Sequence, residues 1–349
     1  MKFLYILLIF LPVTIIGDLM DLSDPLLFVC SSLAIIPLAG IMGKSTDVIA
    51  CFCGQKIGGL LNATFGNATE LIIAFVAMKA GMFDVVKASL AGSVIGNILL
   101  VLGMSMLCGG VKFKTQTFNK NSINITSSML LLSVLAIAIP AIFTHTLPEG
   151  SLTTTYEGLS VIIAVLMLLV YVMQFVFVFV THRYLYDQTI TTDDEQKPSM
   201  RLRTAILLLV ASTVCIAILS EIFVGTVEPM ADSAGLSKTF VGIILVPIIG
   251  NAAEHSSAIV MAIKNKMDAA IEIALGSSLQ IILFVLPVLT LLSLCFTPMS
   301  IVFTPFEIVS VIASVLIANR VATDGESNWL EGLQLVTVYV MIGTAFFFV

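Results

Sequence analysis

Charge is what this sequence has least of. Of 349 residues only 11% are Asp, Glu, Lys or Arg, while 58% are hydrophobic, and the mean hydropathy is +1.10. Soluble domains carry about a quarter charged residues and less than about half apolar ones, so an ordinary soluble globule is excluded. No stretch between the apolar runs is long enough for a soluble domain, which leaves one membrane domain. The net charge of −6 says less than where the charges sit, and nothing points to nucleic acid.

Catalytic and metal-loop patterns are missing as well. The six cysteines, at 30, 51, 53, 108, 215 and 295, show no CxxC spacing and read as buried free thiols. Cys51-Phe-Cys53 has no further Cys or His to complete a soft-metal site. No HExxH, Ser-His or paired-Asp arrangement suits an intramembrane protease, so the chain reads as a protein that is not an enzyme and needs no cofactor. Asp193-Asp194-Glu195 lacks EF-hand spacing and reads as a solvated linker.

What is present is a succession of apolar runs, each near the 20 or so residues a bilayer crossing needs. Eleven spans are expected, near 3–17, 26–43, 58–80, 85–108, 123–143, 157–180, 203–223, 240–263, 269–292, 301–319 and 330–348. The first could pass for a signal peptide, but no small-x-small cleavage site follows it convincingly, and it reads as a retained helix. With the amino terminus cytoplasmic, 13 of the 16 Lys and Arg fall inside and only Lys79, Lys87 and Lys238 outside, as the positive-inside rule demands. The carboxyl terminus then lies outside.

An internal repeat organises these spans. Gly66-Asn-Ala-Thr-Glu70 and Gly250-Asn-Ala-Ala-Glu254 match at an offset of 184 residues (250 minus 66). The same offset pairs Gly58 with Gly242, Ala74 with Ala258, Asp84 with Asp268, Gly92 with Gly276 and Ser93 with Ser277. The first motif runs inside to outside and the second outside to inside, so the copies are inverted. An odd number of crossings per unit explains this: an extra helix in residues 1–25, five helices in 26–182, a cytoplasmic linker at 183–200, and five helices in 201–349. The expected fold is thus an all-α polytopic membrane protein with two inverted five-helix repeats, a hallmark of secondary transporters with a midplane binding site.

Glu70 and Glu254 lie on the order of 18 to 21 Å from the surface where their helices begin. No intramembrane Lys or Arg is available as a partner, so two buried carboxylates need a divalent cation or protons. Asn67 and Asn251, three residues before the glutamates, share their helix faces and add the hard oxygen ligands Ca²⁺ prefers. Gly66 and Gly250 are candidate break points whose freed carbonyls could join the shell, although small residues also serve close helix packing. In the following spans, Ser93 with Asn97 and Ser277 with Gln280 share faces and could complete it, or could simply bond between helices. Strict register pairs Gln280 with Gly96 rather than Asn97. Glu272 toward the inside, and Glu221 and Glu307 toward the outside, could line the ion's entrances or merely reach water. His255 could share protons with Glu254, or could be a packed neutral side chain.

On these motifs, together with Gly92-Ser-Val-Ile-Gly-Asn97, Lys264-Asn-Lys-Met-Asp268 and Gly276-Ser-Ser-Leu-Gln280, the chain resembles the Ca²⁺/H⁺ exchangers of the CAX family, in the cation/Ca²⁺ exchanger superfamily. The short connections look like bacterial members. The resemblance implies the eleven-span fold, Glu70 and Glu254 binding Ca²⁺ and accepting protons, a place in the bacterial cell membrane and assembly into homo-oligomers. The transported ions, Ca²⁺ and H⁺, and the lipid bilayer are then its partners. A Na⁺/Ca²⁺ exchanger or another divalent cation transporter of the superfamily is the alternative, but the Ser-Leu-Pro-Glu type of motif is absent. A channel would leave the inverted motif without a purpose.

Overall fold

A computed structural model describes residues 4–146, 153–182 and 200–348. The acidic run at 193–195 and most of the 183–200 linker lie outside the described residues. A six-residue 3₁₀ segment (Leu4–Ile9) leads into α1 (Phe10–Leu19), which packs on α2 (Asp24–Cys53). Pro25 in the first turn and Gly54 beyond the last, at φ 78°, mark the ends of α2, as fixed proline φ and unhindered glycine φ favour. Next come α3 (Gln55–Phe65), α4 (Ala68–Lys79), α5 (Phe83–Ile95), α6 (Leu102–Phe113), α7 (Lys120–Thr146) and α8 (Thr153–Val176). The second half holds α9 (Leu202–Ala234), α10 (Lys238–Phe240), α11 (Val246–Gly250), α12 (Ala252–Ile263), α13 (Met267–Gln280), α14 (Leu286–Ser293), α15 (Pro305–Val321) and α16 (Trp329–Phe347).

Three joints are π-helical rather than broken: Gly96–Val101 joins α5 to α6, Val241–Leu245 joins α10 to α11, and Ile281–Val285 joins α13 to α14. Among the described residues, seven helices are long and apolar enough to cross a membrane, and α10–α11 with α12 forms an eighth candidate bent by 62°. Tyr5–Leu19 is shorter, α15 has 17 residues, and α3 and α4 are separate pieces of 11 and 12 residues. By length and composition alone, seven or eight of the expected crossings are seen among the described residues.

The all-α expectation is corrected in one place. Strands β1 (Thr115–Thr117) and β2 (Glu326–Asn328) pair antiparallel, with Gln116 opposite Ser327. Three residues per strand are too few to leave a period-two signal. This ribbon joins the halves on one side of the bundle: Gln116 Nε2 donates to the Ala262 carbonyl at 2.9 Å and to Asn265 Oδ1 at 2.8 Å, and Lys112 Nζ donates to the Ile263 carbonyl at 2.9 Å. Asp268 accepts the Asn119 N–H. Close backbone contact at Gly110 against Trp329 and at Gly332 against Leu107 lets α6 and α16 lie together, a use of small residues common between membrane helices. α2 packs along α9, with Phe28 and Phe223 stacked at 5.0 Å between ring centroids.

Candidate ion-binding site

The site forms where two helices are interrupted. Asn67 (φ −98°, ψ 21°) and Asn251 (φ −96°, ψ 5°) leave the helical region and begin α4 and α12. Before each break the ladder ends with the Gly66 N–H on the Asn62 carbonyl (2.8 Å) and the Asn251 N–H on the Pro247 carbonyl (2.9 Å). It resumes with Leu71 on Asn67 (3.0 Å) and His255 on Asn251 (2.9 Å). The breaks fall at the Gly-Asn pairs of the repeat: Gly66, which keeps helical angles, and Asn67 separate α3 from α4, and Gly250 ends α11 immediately before Asn251. Asparagine tolerates the non-helical angles and is a favoured N-cap residue.

The glycines do something else. A Cβ on Gly250 would stand 3.5 Å from Glu70 Oε1, and one on Gly66 would stand 3.7 Å from Glu254 Oε1. Each glutamate therefore reaches across to the break in the other half, so both carboxylates share one region. Both also lie in the first turn of the helix that restarts, where the helix dipole favours negative charge.

Neutral groups surround the carboxylates. Asn251 Nδ2 donates to Ser93 Oγ at 3.1 Å and to the Pro247 carbonyl at 3.1 Å. Ser277 Oγ donates to Asn67 Oδ1 at 3.0 Å, and Asn97 Nδ2 donates to Ser277 Oγ at 3.0 Å. Asn67 Nδ2 donates to Gln280 Oε1, and Ser277 also interacts with the Glu254 carboxylate. Asn67 and Asn251 are fully buried, and Asn97, Ser93, Ser277 and Glu70 nearly so. Three acceptor oxygens here are buried and have no hydrogen-bond partner: Glu70 Oε2, Glu254 Oε2 and Asn251 Oδ1. A buried acceptor left without a donor is costly, and a proton or a hard cation relieves all three.

The remaining candidates fall in different places. His255 Nε2 lies 3.2 Å from Asn97 Oδ1, which joins it to the network through Asn97. Glu272 is exposed one turn before Gly276. Glu221 is exposed too and lines a cavity of about 480 Å³ between the end of α4 and α9, with Lys79 and Glu228. Glu307 is buried and accepts from Thr304 N at 2.8 Å and from Thr304 Oγ1 at 2.9 Å, completing a capping box on α15. Its Oε2 is thus engaged locally, in the cap of its own helix. Asp47 was not foreseen: Asn62 Nδ2 of α3 donates to its Oδ1 at 3.1 Å, and it lies near enough to act electrostatically on Glu254. The offset of 184 residues takes Asp47 to Ala231, so a search for repeated acids passes over it.

The two halves are not arranged alike around the site. α11 and the π segment before it are largely buried, with Ile243 against Gly92 of α5, whereas Ile57, Leu60 and Asn62 of α3 are exposed.

Comparison with known proteins bears on this arrangement. The sequence profile of the family described as "Sodium/calcium exchanger protein" matches residues 23–180 and 204–348. A Ca(2+)/H(+) antiporter of Aphanothece halophytica is 44% identical over 356 residues, covering 98% of this chain and 95% of its own length. The Ca(2+)/H(+) antiporter ChaA of Bacillus subtilis is 43% identical, covering 96% of each chain. The structure of native YfkE superimposes with a TM-score of 0.86 at 39% identity, over 99% of both chains. The H+/Ca2+ exchanger CAX shares the fold at a TM-score of 0.71 and 14% identity. The chain belongs to the sodium/calcium exchanger protein family and groups there with the Ca²⁺/H⁺ antiporters.

Proposed function

We propose that this chain is a secondary antiporter that exchanges Ca²⁺ for protons by alternating access, with Glu70 and Glu254 taking either load in competition. The observation that carries this reading is the set of three buried, unpartnered acceptor oxygens on Glu70, Glu254 and Asn251. One Ca²⁺ or two protons would bring the carboxylate pair to neutrality, so either load lets the site move through hydrocarbon without a net buried charge, and the doubly ionised empty site does not. The names and 42 to 44% identities of three relatives, all Ca(2+)/H(+) antiporters, favour the same pair of ions. A Na⁺/Ca²⁺ exchanger, the reading the family's name would suggest, draws less support, because among the described residues no group of three or more His, Cys, Asp or Glu gathers at the site.

In this reading Asn67, Asn251, Ser93, Asn97, Ser277 and Gln280 supply or orient neutral oxygens, and Asp47 attracts cations toward Glu254. The chain crosses the membrane eleven times, counting the 3₁₀–α1 segment, the α3–α4 pair and α15. Residues 26–182 and 201–349 are inverted five-helix repeats around the linker at 183–200. The distribution of basic residues sets the amino terminus in the cytoplasm and the carboxyl terminus outside. The α3 side of the site then faces the cytoplasm, and the α11 arm closes the outside.

The test is proton release on binding. Titrating Ca²⁺ into purified protein in buffers of different ionisation enthalpy should show up to about two protons released per Ca²⁺, as linkage requires of competing loads. Ca²⁺ binding with no proton release would contradict the competition.

A further inference from the structure

Five pairs of positions related by the offset of 184 residues make different contacts in the two halves. Gly58 on α3 lies against α2, where an added Cβ would stand 2.7 Å from the Ala50 carbonyl. Its counterpart Gly242 instead lies against α5, where a Cβ would stand 2.9 Å from that of Ala88. One turn along α5, a Cβ on Gly92 would run into the Ile243 carbonyl, yet one on its counterpart Gly276 would meet nothing within 4 Å among the described residues. The counterpart of Ile243 is Gly59, which now lies against the Phe179 ring. Ala88 and Gly92 are buried, while Glu272, the counterpart of Ala88, is exposed. Ala234, the counterpart of Ala50, is exposed as well.

We propose that the face of α13 around Gly276 is the seat of α3, and that placing the Gly59 carbonyl there covers the site on the side where α3 is exposed in this structure. The occupant is fixed by the other half: there the equivalent seat at Gly92 is filled by the equivalent backbone at Ile243. Gly58 would then leave Ala50 for Glu272, while Gly242 would leave Ala88 for Ala234. Gly276 is needed because the seat admits a carbonyl only where no Cβ projects, as at Gly92. The hydrogen bond from Asn62 to Asp47 (3.1 Å) has no counterpart, since the equivalent positions are Val246 and Ala231. It is a latch on the α2-bound position of α3 alone. This rests on the exchanger reading, and it names the contact that one of its two states must make.

The test uses Gly276→Val in the full-length chain. The added side chain projects into open space here, so melting temperature and equilibrium Ca²⁺ binding should stay near wild type. Ca²⁺ flux should fall about tenfold or more, because overpacking a close backbone contact excludes the other state. In a cysteine-free background, maleimide labelling of Leu60→Cys should stay fast and that of Ile244→Cys slow, whatever the Ca²⁺ concentration or pH. Gly92→Ala should shift both labelling rates in the opposite sense. Should Val lower the melting temperature, Gly276→Ala enters the same assays with a weaker effect in the same direction. Flux and labelling of Gly276→Ala and Gly276→Val indistinguishable from wild type would overturn the seat while leaving the exchanger reading intact. Absence of Ca²⁺ flux in the wild type would instead remove that reading itself.

Discussion

Ser93 accepts a hydrogen bond from Asn251 at 3.1 Å, tying the helix break of the second half to the span that follows the break of the first. The equivalent pair, Ser277 and Asn67, is joined at 3.0 Å. Here the serine hydroxyl donates, and Asn67 gives its own N–H to Gln280. The two contacts lock each interrupted helix to the opposite half, and the difference between them leaves Asn251 Oδ1 without a donor. Asn67 and Asn251 are therefore not interchangeable. Asn251→Ala should weaken Ca²⁺ affinity, because it removes an unpartnered oxygen. Asn67→Ala should act chiefly on thermal stability, because it leaves Gln280 Oε1 without its donor and the Ser277 hydroxyl without this acceptor, and loss of a buried partner costs about 1 to 3 kcal/mol. Calorimetric titration and melting of both variants check the split. Equal affinity losses at equal stability would remove it.

Glu70→Gln and Glu254→Gln keep size and hydrogen-bonding capacity but remove half of the site's negative charge each. Each should reduce Ca²⁺ flux at least about a hundredfold, since a hard divalent ion in a low-dielectric site depends on full charge. Vesicle flux with each purified variant is the measurement. Near-wild-type flux in either would sink the site assignment.

The competition of one Ca²⁺ with two protons has a definite sign. Apparent Ca²⁺ affinity should fall as pH falls, with the logarithm of Kd changing by up to about two per pH unit where both carboxylates take protons. In Glu70→Gln any residual binding should show a slope no greater than about one. A Kd independent of pH from 5 to 9 would contradict shared oxygens.

Asp47 carries charge near the site without touching the ligand network. Asp47→Asn keeps an acceptor for Asn62 and removes the charge, so apparent KM for Ca²⁺ should rise about two- to tenfold at low salt with little change in maximal flux, the behaviour of a steering charge. The effect should shrink in high salt. An unchanged KM at low salt would show that the charge of Asp47 does not act on the ion.

Much of this was legible in the sequence, for one reason: the repeat. Two glutamates, two asparagines and two serines at one offset mark the candidate site in the sequence alone, and the structure draws Ser93, Asn97, Ser277 and Gln280 into one neighbourhood with them. Features outside the repeat left no such signal. Asp47 has Ala231 as its counterpart, and a span taken to end near residue 43 put it in a connection, whereas α2 runs on to Cys53. Glu307 carries an acidic residue's usual signature for an entrance, but Thr304 three residues earlier makes it a cap, and a threonine–proline start was the available clue. At the Gly-Asn pairs where the helices break, it is the asparagine that carries the non-helical angles, and the residue types alone do not say which of the two does so. The β ribbon depends on strands far apart in sequence and too short for any pattern.

Orientation is checked by single cysteines in a cysteine-free background. Lys264→Cys and Ser233→Cys lie at exposed positions on opposite sides of the proposed membrane. Impermeant maleimide should modify the first only from the cytoplasm and the second only from outside. The reverse pattern rejects the orientation.

The central claim, that Ca²⁺ moves against protons, is tested most directly by Ca²⁺ uptake into proteoliposomes under imposed gradients. An acidic interior should drive Ca²⁺ accumulation in Na⁺-free medium, the uptake should collapse when the pH gradient is dissipated, and an outward Na⁺ gradient at equal pH should drive none. Uptake that persists with no pH gradient and follows the Na⁺ gradient would contradict proton coupling.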